Sequence, residues 1–122
     1  MESPYKGKTG LCRLINAFGY SMEGFKAAYQ HEDAFRTEVW LAIVLTPLAF
    51  YMAGNAIELA MMLGSLLLVV IVELINSAIE ATVDHTSLEK HMLAKRAKDI
   101  GSAAVLLSLI NLAVVWGLLI FG

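Results

Sequence analysis

Apolar and polar positions along this chain fall into blocks of different rhythm. Between positions 11 and 29, Leu11, Leu14, Ile15, Phe18, Met22, Phe25 and Tyr29 recur every three or four residues, with Arg13, Asn16, Glu23 and Lys26 between them. That spacing predicts an amphipathic helix over about 10–31 lying on a membrane surface. The plain alternative is packing on a soluble partner domain, which the chain does not contain. A secretory signal is not expected, because the stretch has no continuous apolar core followed by a small-residue cleavage site.

Beyond it the rhythm gives way to long uncharged runs. No charged residue lies between Glu38 and Glu58, and none from Ile100 to the last residue. A helix needs about 20 apolar residues to cross a hydrocarbon core, so membrane-spanning helices are expected over about 34–53 and 98–121. A further helix is expected over 57–84, apolar from Leu59 to Val72 and then carrying Glu73 and Glu80 inside a pattern that stays apolar as far as Val83. Gly54 and Asn55 supply a turn so short that the first two spans must be antiparallel. Pro47 is placed to kink the first.

Composition sharpens this all-α reading. Of 122 residues 58% are hydrophobic and only 16% charged, with a mean hydropathy of +0.67, which excludes an ordinary soluble domain and a disordered chain. The formal charge of −2 offers no general field for a nucleic acid. The single cysteine, Cys12, rules out an internal disulfide and any cysteine zinc site. Neither repeats nor linkers mark a second domain, so one membrane domain over 1–122 is expected. All nine basic residues, Lys6, Lys8, Arg13, Lys26, Arg36, Lys90, Lys95, Arg96 and Lys98, fall on one side of the spans. The positive-inside rule makes that side cytoplasmic and puts the Gly54 turn and the carboxyl terminus opposite.

Two acids inside a span need a reason, since an ionisable group at mid-membrane costs about 2.5 to 3.5 kcal/mol on insertion scales. Glu73, Asn76, Ser77, Glu80 and Asp84 lie within an arc of roughly 100° on the helix, and Leu74, Ile75, Ile79 and Val83 lie outside it. The stripe turns away from lipid. Glu80 is about 10 Å from Glu73 along the axis, toward the cytoplasm. A shallow carboxylate such as Glu80 suits Mg²⁺, which binds through one or two carboxylates plus substrate phosphates. A deep, poorly solvated one such as Glu73 suits a proton acceptor for a hydroxyl presented from the membrane. The bland reading is that these groups hydrogen-bond helices together.

Short connections would bring Glu32, near Asp33 and Glu38 at the entry of the first span, to the depth of Glu80 and of Lys98 and Asp99 at the entry of the third. Carboxylates for a metal and an ammonium for phosphate charge make an arrangement suited to phosphoryl transfer. Neither common glycine-rich nucleotide loop is present. His31, His85 and His91 lack metal-ligand spacing, and Met61, Met62, Trp40 and Trp116 are most simply packing or lipid-facing residues.

The segments ELINSAIEATVD (73–84) and RAKDIGSAAV (96–105), with GYS at 19–21 and AFRTE at 34–38, resemble the small integral-membrane diacylglycerol kinase family of Gram-negative bacteria. The resemblance runs from about Leu11 to the carboxyl end. It implies a homotrimer in the inner membrane, each subunit with three spans and a surface helix, transferring the γ-phosphate of MgATP to diacylglycerol and yielding phosphatidic acid and ADP. By the same resemblance Glu73 is the general base, and Glu32 and Glu80 hold Mg²⁺. Asn76, Lys98 and Asp99 belong to the nucleotide site, Arg13, Tyr20, Glu89 and His91 help hold ATP, and Arg13, Glu38 and Ser102 lie near the lipid. It also implies sites formed between subunits.

Three positions depart from the family pattern: Met22 replaces a common Trp, Asp33 adds a charge beside Glu32, and Lys90 stands where an aromatic is frequent. None removes a catalytic group. Two competing readings remain. A Gram-positive branch of the superfamily shares the E-x-x-N-[ST]-A-I-E stripe and phosphorylates undecaprenol, although GSAAV and GYS look more like the diacylglycerol branch. A non-enzymatic oligomer or proton-relay subunit would use the buried carboxylates but needs neither Lys98 nor Asn76.

Overall fold

The computed structural model describes residues 10–85 and 91–122. Lys6, Lys8, Glu89 and Lys90 lie outside the described residues. Four helices follow one another: α1 (Gly10–His31), α2 (Asp33–Met52), α3 (Ala56–Asp84) and α4 (His91–Phe121). Among the described residues there is no strand, in agreement with the all-α expectation. The last three helices are long and apolar enough to cross a membrane. α3 is the central element, packed against α2 on one side and more extensively against α4 on the other, while α1 touches the bundle through α2 and α3.

The turn between α2 and α3 is built by its own side chains. Asn55 caps α3 by accepting from the Glu58 amide at 2.9 Å, and Glu58 reaches back to accept from the Gly54 amide at 3.1 Å. Two otherwise orphaned donors of the helix start are thereby satisfied reciprocally. α2 continues through Pro47 as a single helix. The imide removes the bond that the Ile43 carbonyl would have accepted, a loss that membrane helices tolerate with local help. Just before it, the Thr46 hydroxyl donates to the Ala42 carbonyl at 2.6 Å.

Polarity is arranged opposite to that of a soluble bundle. Leu11, Phe18, Trp40, Phe50, Leu67, Ile75 and Leu107 are exposed, whereas Glu38, Ser65, Glu73, Asn76, Ser77 and Ser108 are buried. Lipid accounts for the first set, because hydrocarbon solvates an apolar exterior at no cost. The second must find partners inside. The apolar core is confined to Ala49, Met62, Leu66, Val69, Leu112 and Trp116, a cluster near the Gly54 end of the helices. There the Trp116 indole donates to the Met62 carbonyl at 3.2 Å, pinning α4 to α3.

The apolar stripe of α1 stays outside. Leu11, Leu14, Ile15 and Phe18 are each at least 60% exposed, falling to 44% at Phe25 and 38% at Tyr29 where the helix meets the bundle. A helix with such a face and a polar back is built to lie in an interface.

Candidate active site

The polar residues of α3 collect on the face turned toward its neighbours. Glu73 is 2% exposed, and Asn76 and Ser77, each about one turn away, are 8% and 7% exposed. Leu74 and Ile75, on the faces between, are half-buried and exposed. The 100° step between successive residues thus produces the inward stripe that the sequence spacing predicts. Asn76, three residues after Glu73, shares this buried face with it. Glu80, two turns farther along, is half-buried.

Other elements converge on this stripe. Glu38 of α2 is buried at 8% exposure, and its charge acts on Glu73 together with those of Glu80 and Glu32. Four carboxylates from three places in the chain therefore share one electrostatic neighbourhood. Lys98, in the first turns of α4, faces the same end. Its ammonium pairs with Asp84 at 2.7 Å and senses Glu80 and Glu32.

Lys98 and Asp99, adjacent in sequence, part company in space. Asp99 pairs with Lys95 one turn back on its own helix, at 2.7 Å, on the exposed side. Neighbouring residues on a helix point about 100° apart, so only Lys98 can turn toward α3. The sequence reading missed Asp84 as its partner, although Asp84 belongs to the same stripe.

Gly101 is a second feature the sequence reading passed over. It is buried on α4, and a side chain there would overlap the Asn76 Oδ1 atom and come within 3.2 Å of Asn76 Cγ. The missing Cβ is what lets α4 close over the amide. Asn76 Oδ1 and Ser77 Oγ are buried without a hydrogen-bond partner. Such atoms are seldom left unsatisfied, and here both belong to the carboxylate stripe.

A crevice of about 510 Å³ runs between α1 and α3. Phe25, Ala28, Leu74 and Ser77 form part of its wall, and His31 and Glu32 mark the end where α1 turns into α2. Its lining is mostly apolar and polar at that end, a shape suited to an amphiphile.

Some residues assigned to the site by resemblance are not gathered with the rest. Arg13 and His91 are exposed, as is Ser102. Arg13 is 19 positions from Glu32, about 28 Å along α1 at 1.5 Å per residue. Tyr20 is exposed on the same helix, about 18 Å from Glu32 by the same rise.

As to a metal, among the described residues no three His, Cys, Asp or Glu side chains come close enough to enclose one by themselves. Glu32 and Glu80, hard oxygen donors sensed by the same lysine, fit Mg²⁺, an ion that takes one or two carboxylates and completes its shell with phosphates and water.

The family model for prokaryotic diacylglycerol kinase matches residues 19–120. The chain is 52% identical to the diacylglycerol kinase of Pseudomonas aeruginosa over 120 residues, covering 98% of each chain. It is 47% identical to that of Haemophilus influenzae over 113 residues, 93% of this chain and 96% of the relative. With the Escherichia coli K12 diacylglycerol kinase it shares 43% identity over 113 residues, 93% of each.

Proposed function

The chain belongs to the prokaryotic diacylglycerol kinase family, and we infer that it is an ATP-dependent lipid kinase, transferring the γ-phosphate of ATP to the free hydroxyl of 1,2-diacylglycerol. The products are phosphatidic acid and ADP. The observation on which the geometry of this reading rests is the burial of Glu73 among Glu38, Glu80 and Glu32 at one end of a bundle with a lipid-facing exterior. A carboxylate so placed meets a hydroxyl arriving from the membrane and phosphates arriving from water.

In this reading Glu73 accepts the hydroxyl proton as the lipid oxygen attacks the γ-phosphorus, and the bond to the ADP oxygen breaks. Asn76, buried on the same face, orients Glu73 by donating from its side-chain amide. Lys98 supplies positive charge to the phosphates from its place beside Asp84. Glu32 and Glu80 would hold Mg²⁺, which when bound neutralises charge on the ATP phosphates. Asp99, turned to the exposed side with Lys95, would meet a nucleotide held by a neighbouring subunit. The crevice between α1 and α3 receives the acceptor, with its acyl chains along the apolar wall and its hydroxyl at Ser77, one turn from Glu73. Glu38 and Ser102 lie on the lipid side.

The exposed positions of Arg13, Tyr20 and His91 fit an enzyme that acts as a homotrimer. A residue about 28 Å from Glu32 along its own helix reaches a nucleotide at Glu32 most directly from a neighbouring subunit. We place the enzyme in the inner membrane, with the Glu32, Glu80 and Lys98 end cytoplasmic, where ATP is available. The side holding the described basic residues Arg13, Lys26, Arg36, Lys95, Arg96 and Lys98 supports this orientation.

The deciding experiment is a panel of lipid acceptors presented with labelled ATP and Mg²⁺ to the purified protein in bilayers. Label is expected in phosphatidic acid when short-chain diacylglycerol is supplied. Label in undecaprenyl phosphate and none in phosphatidic acid would overturn the acceptor, and no transfer to any lipid would overturn the kinase reading. In the same assay Glu32→Ala and Glu80→Ala are each expected to raise the Mg²⁺ concentration for half-maximal rate by about tenfold or more, the scale of a lost oxygen ligand to a weakly held ion. Unchanged metal titrations in both variants would remove these residues as ligands.

A further inference from the structure

The junction between α1 and α2 is a single non-helical residue, Glu32, with φ −121° and ψ 110°. Backbone bonds continue across it, from the Glu32 amide to the Ala28 carbonyl at 2.9 Å and from the Arg36 amide to the Glu32 carbonyl at 3.2 Å. Glu32 stands at the N-cap of α2, yet its side chain makes no capping hydrogen bond. A cap acid would ordinarily spend its carboxylate on the first amides of its own helix. Here it remains available to face α3.

Another residue secures the elbow instead. The last carbonyls of α1 have no partner within their own helix, and Arg36, in the first turn of α2, donates from Nη1 to the Tyr29 carbonyl at 2.7 Å and to the Gln30 carbonyl at 3.1 Å. Its Nη2 pairs with Asp33. One guanidinium therefore joins the end of α1 to the start of α2 through three oxygens. Its planar fork can hold several acceptors at fixed angles, which an ammonium cannot. Beneath it Ala28 and Phe35 are buried on either side of the junction. The same contact offsets Asp33, the extra negative charge beside Glu32.

We propose that Arg36 is a positioning residue which clamps the α1–α2 elbow and so fixes the direction in which Glu32 presents its carboxylate to the α3 stripe. The clamp is read from the contacts alone; its consequence for catalysis rests on Glu32 being a metal ligand. The two carbonyl contacts cross from α2 to α1, whereas Asp33 and Arg36 both belong to α2, so the geometry assigns the clamp to the carbonyl contacts and makes the ion pair secondary.

The test separates clamp from consequence. Nitroxide labels on the native Cys12 of α1, which is exposed, and on Thr82→Cys at the exposed end of α3 report the distance between the two helices, in labelled chains diluted with unlabelled ones in bilayers. Arg36→Gln is expected to broaden this distance distribution, Arg36→Lys to broaden it less, and Asp33→Ala to leave it narrow. An unchanged distribution in Arg36→Gln, as for a guanidinium turned out to water or lipid phosphate, overturns the clamp. So does equal broadening in Asp33→Ala. In unlabelled protein Arg36→Gln is expected to raise the half-saturating Mg²⁺ concentration by roughly tenfold, the lower end of the cost of losing support behind a metal ligand. A merely structural defect would lower kcat by reducing the active fraction and leave that concentration in place. Broadened distances with an unmoved Mg²⁺ titration would overturn the positioning of Glu32 if Glu32→Ala moves that titration, and the metal role of Glu32 if it does not.

Discussion

Glu73→Gln is expected to lose turnover by roughly 10²- to 10⁴-fold, the range associated with removal of a positioned proton acceptor, while the protein still inserts and binds MgATP. Gln preserves the shape of the side chain, so helix packing around a residue only 2% exposed is retained. What it cannot do is take the lipid proton. The loss should fall on kcat, with little change in KM for ATP, because Glu73 lies deeper in α3 than Glu80 and would meet the acceptor and not the nucleotide. Transfer of labelled phosphate to diacylglycerol, alongside circular dichroism of the purified variant, makes the measurement. A variant that turned over normally would remove Glu73 as the base and return the stripe to a purely structural role. Loss of helicity would instead identify Glu73 as part of the packing.

The second large effect is expected at a position with no side chain at all. Gly101→Ala puts a methyl group where Asn76 now lies, 3.2 Å from its Cγ and overlapping its Oδ1. Two outcomes compete. If the helices separate, overpacking costs about 1 to 3 kcal/mol of stability. If Asn76 rotates away, the helices stay and the amide no longer orients Glu73. The obstructing atom is the end of a side chain and not backbone, so rotation is favoured. The expected result is loss of activity on the order of 10²-fold, the scale for displacing a positioned group by an ångström, with only modest loss of stability. Asn76→Ala removes the obstruction, so adding it to Gly101→Ala should recover whatever stability was lost and none of the activity. Such coupling is what a double-mutant cycle measures between residues in contact. Full activity of Gly101→Ala alone would show that Asn76 does not need its present position.

The parts of this site that could be read from sequence are those generated within one helix. Glu73, Asn76, Ser77, Glu80 and Asp84 share a face because helical geometry alone puts them there, and the inward turn of that face follows from the cost of presenting acids to lipid. The uncharged stretch before Glu58 and the Gly54 turn are legible for similar reasons. Contacts between helices are another matter. Whether Lys98 or Asp99 turns toward α3 depends on how α4 is rotated, and periodicity along α4 is weak because lipid surrounds much of it. Gly101 opposite Asn76 depends on the separation of two helix axes, a quantity that no spacing along the chain encodes. Arg36 carried a signal of another kind: an arginine three residues after an acid, at a helix start directly following a helix end, is well placed to serve both. Positive charge near a membrane draws the eye first to orientation, and that second use was hidden behind it.

The Trp116 to Met62 hydrogen bond, together with the apolar cluster around it, has a bearing on how such an enzyme can change. Met62 is 11 positions from Glu73 on α3, about 16 Å along the axis, so the residues that keep α3 and α4 together and the carboxylate stripe occupy different stretches of the same helices. Variation in the crevice proposed for the acceptor, at Phe25, Leu74 or Ala81, can accumulate without weakening the attachment at the far end. A lineage can therefore drift toward new lipid alcohols while its architecture stays put, an economy open to a short chain whose helices divide their length between anchorage and chemistry.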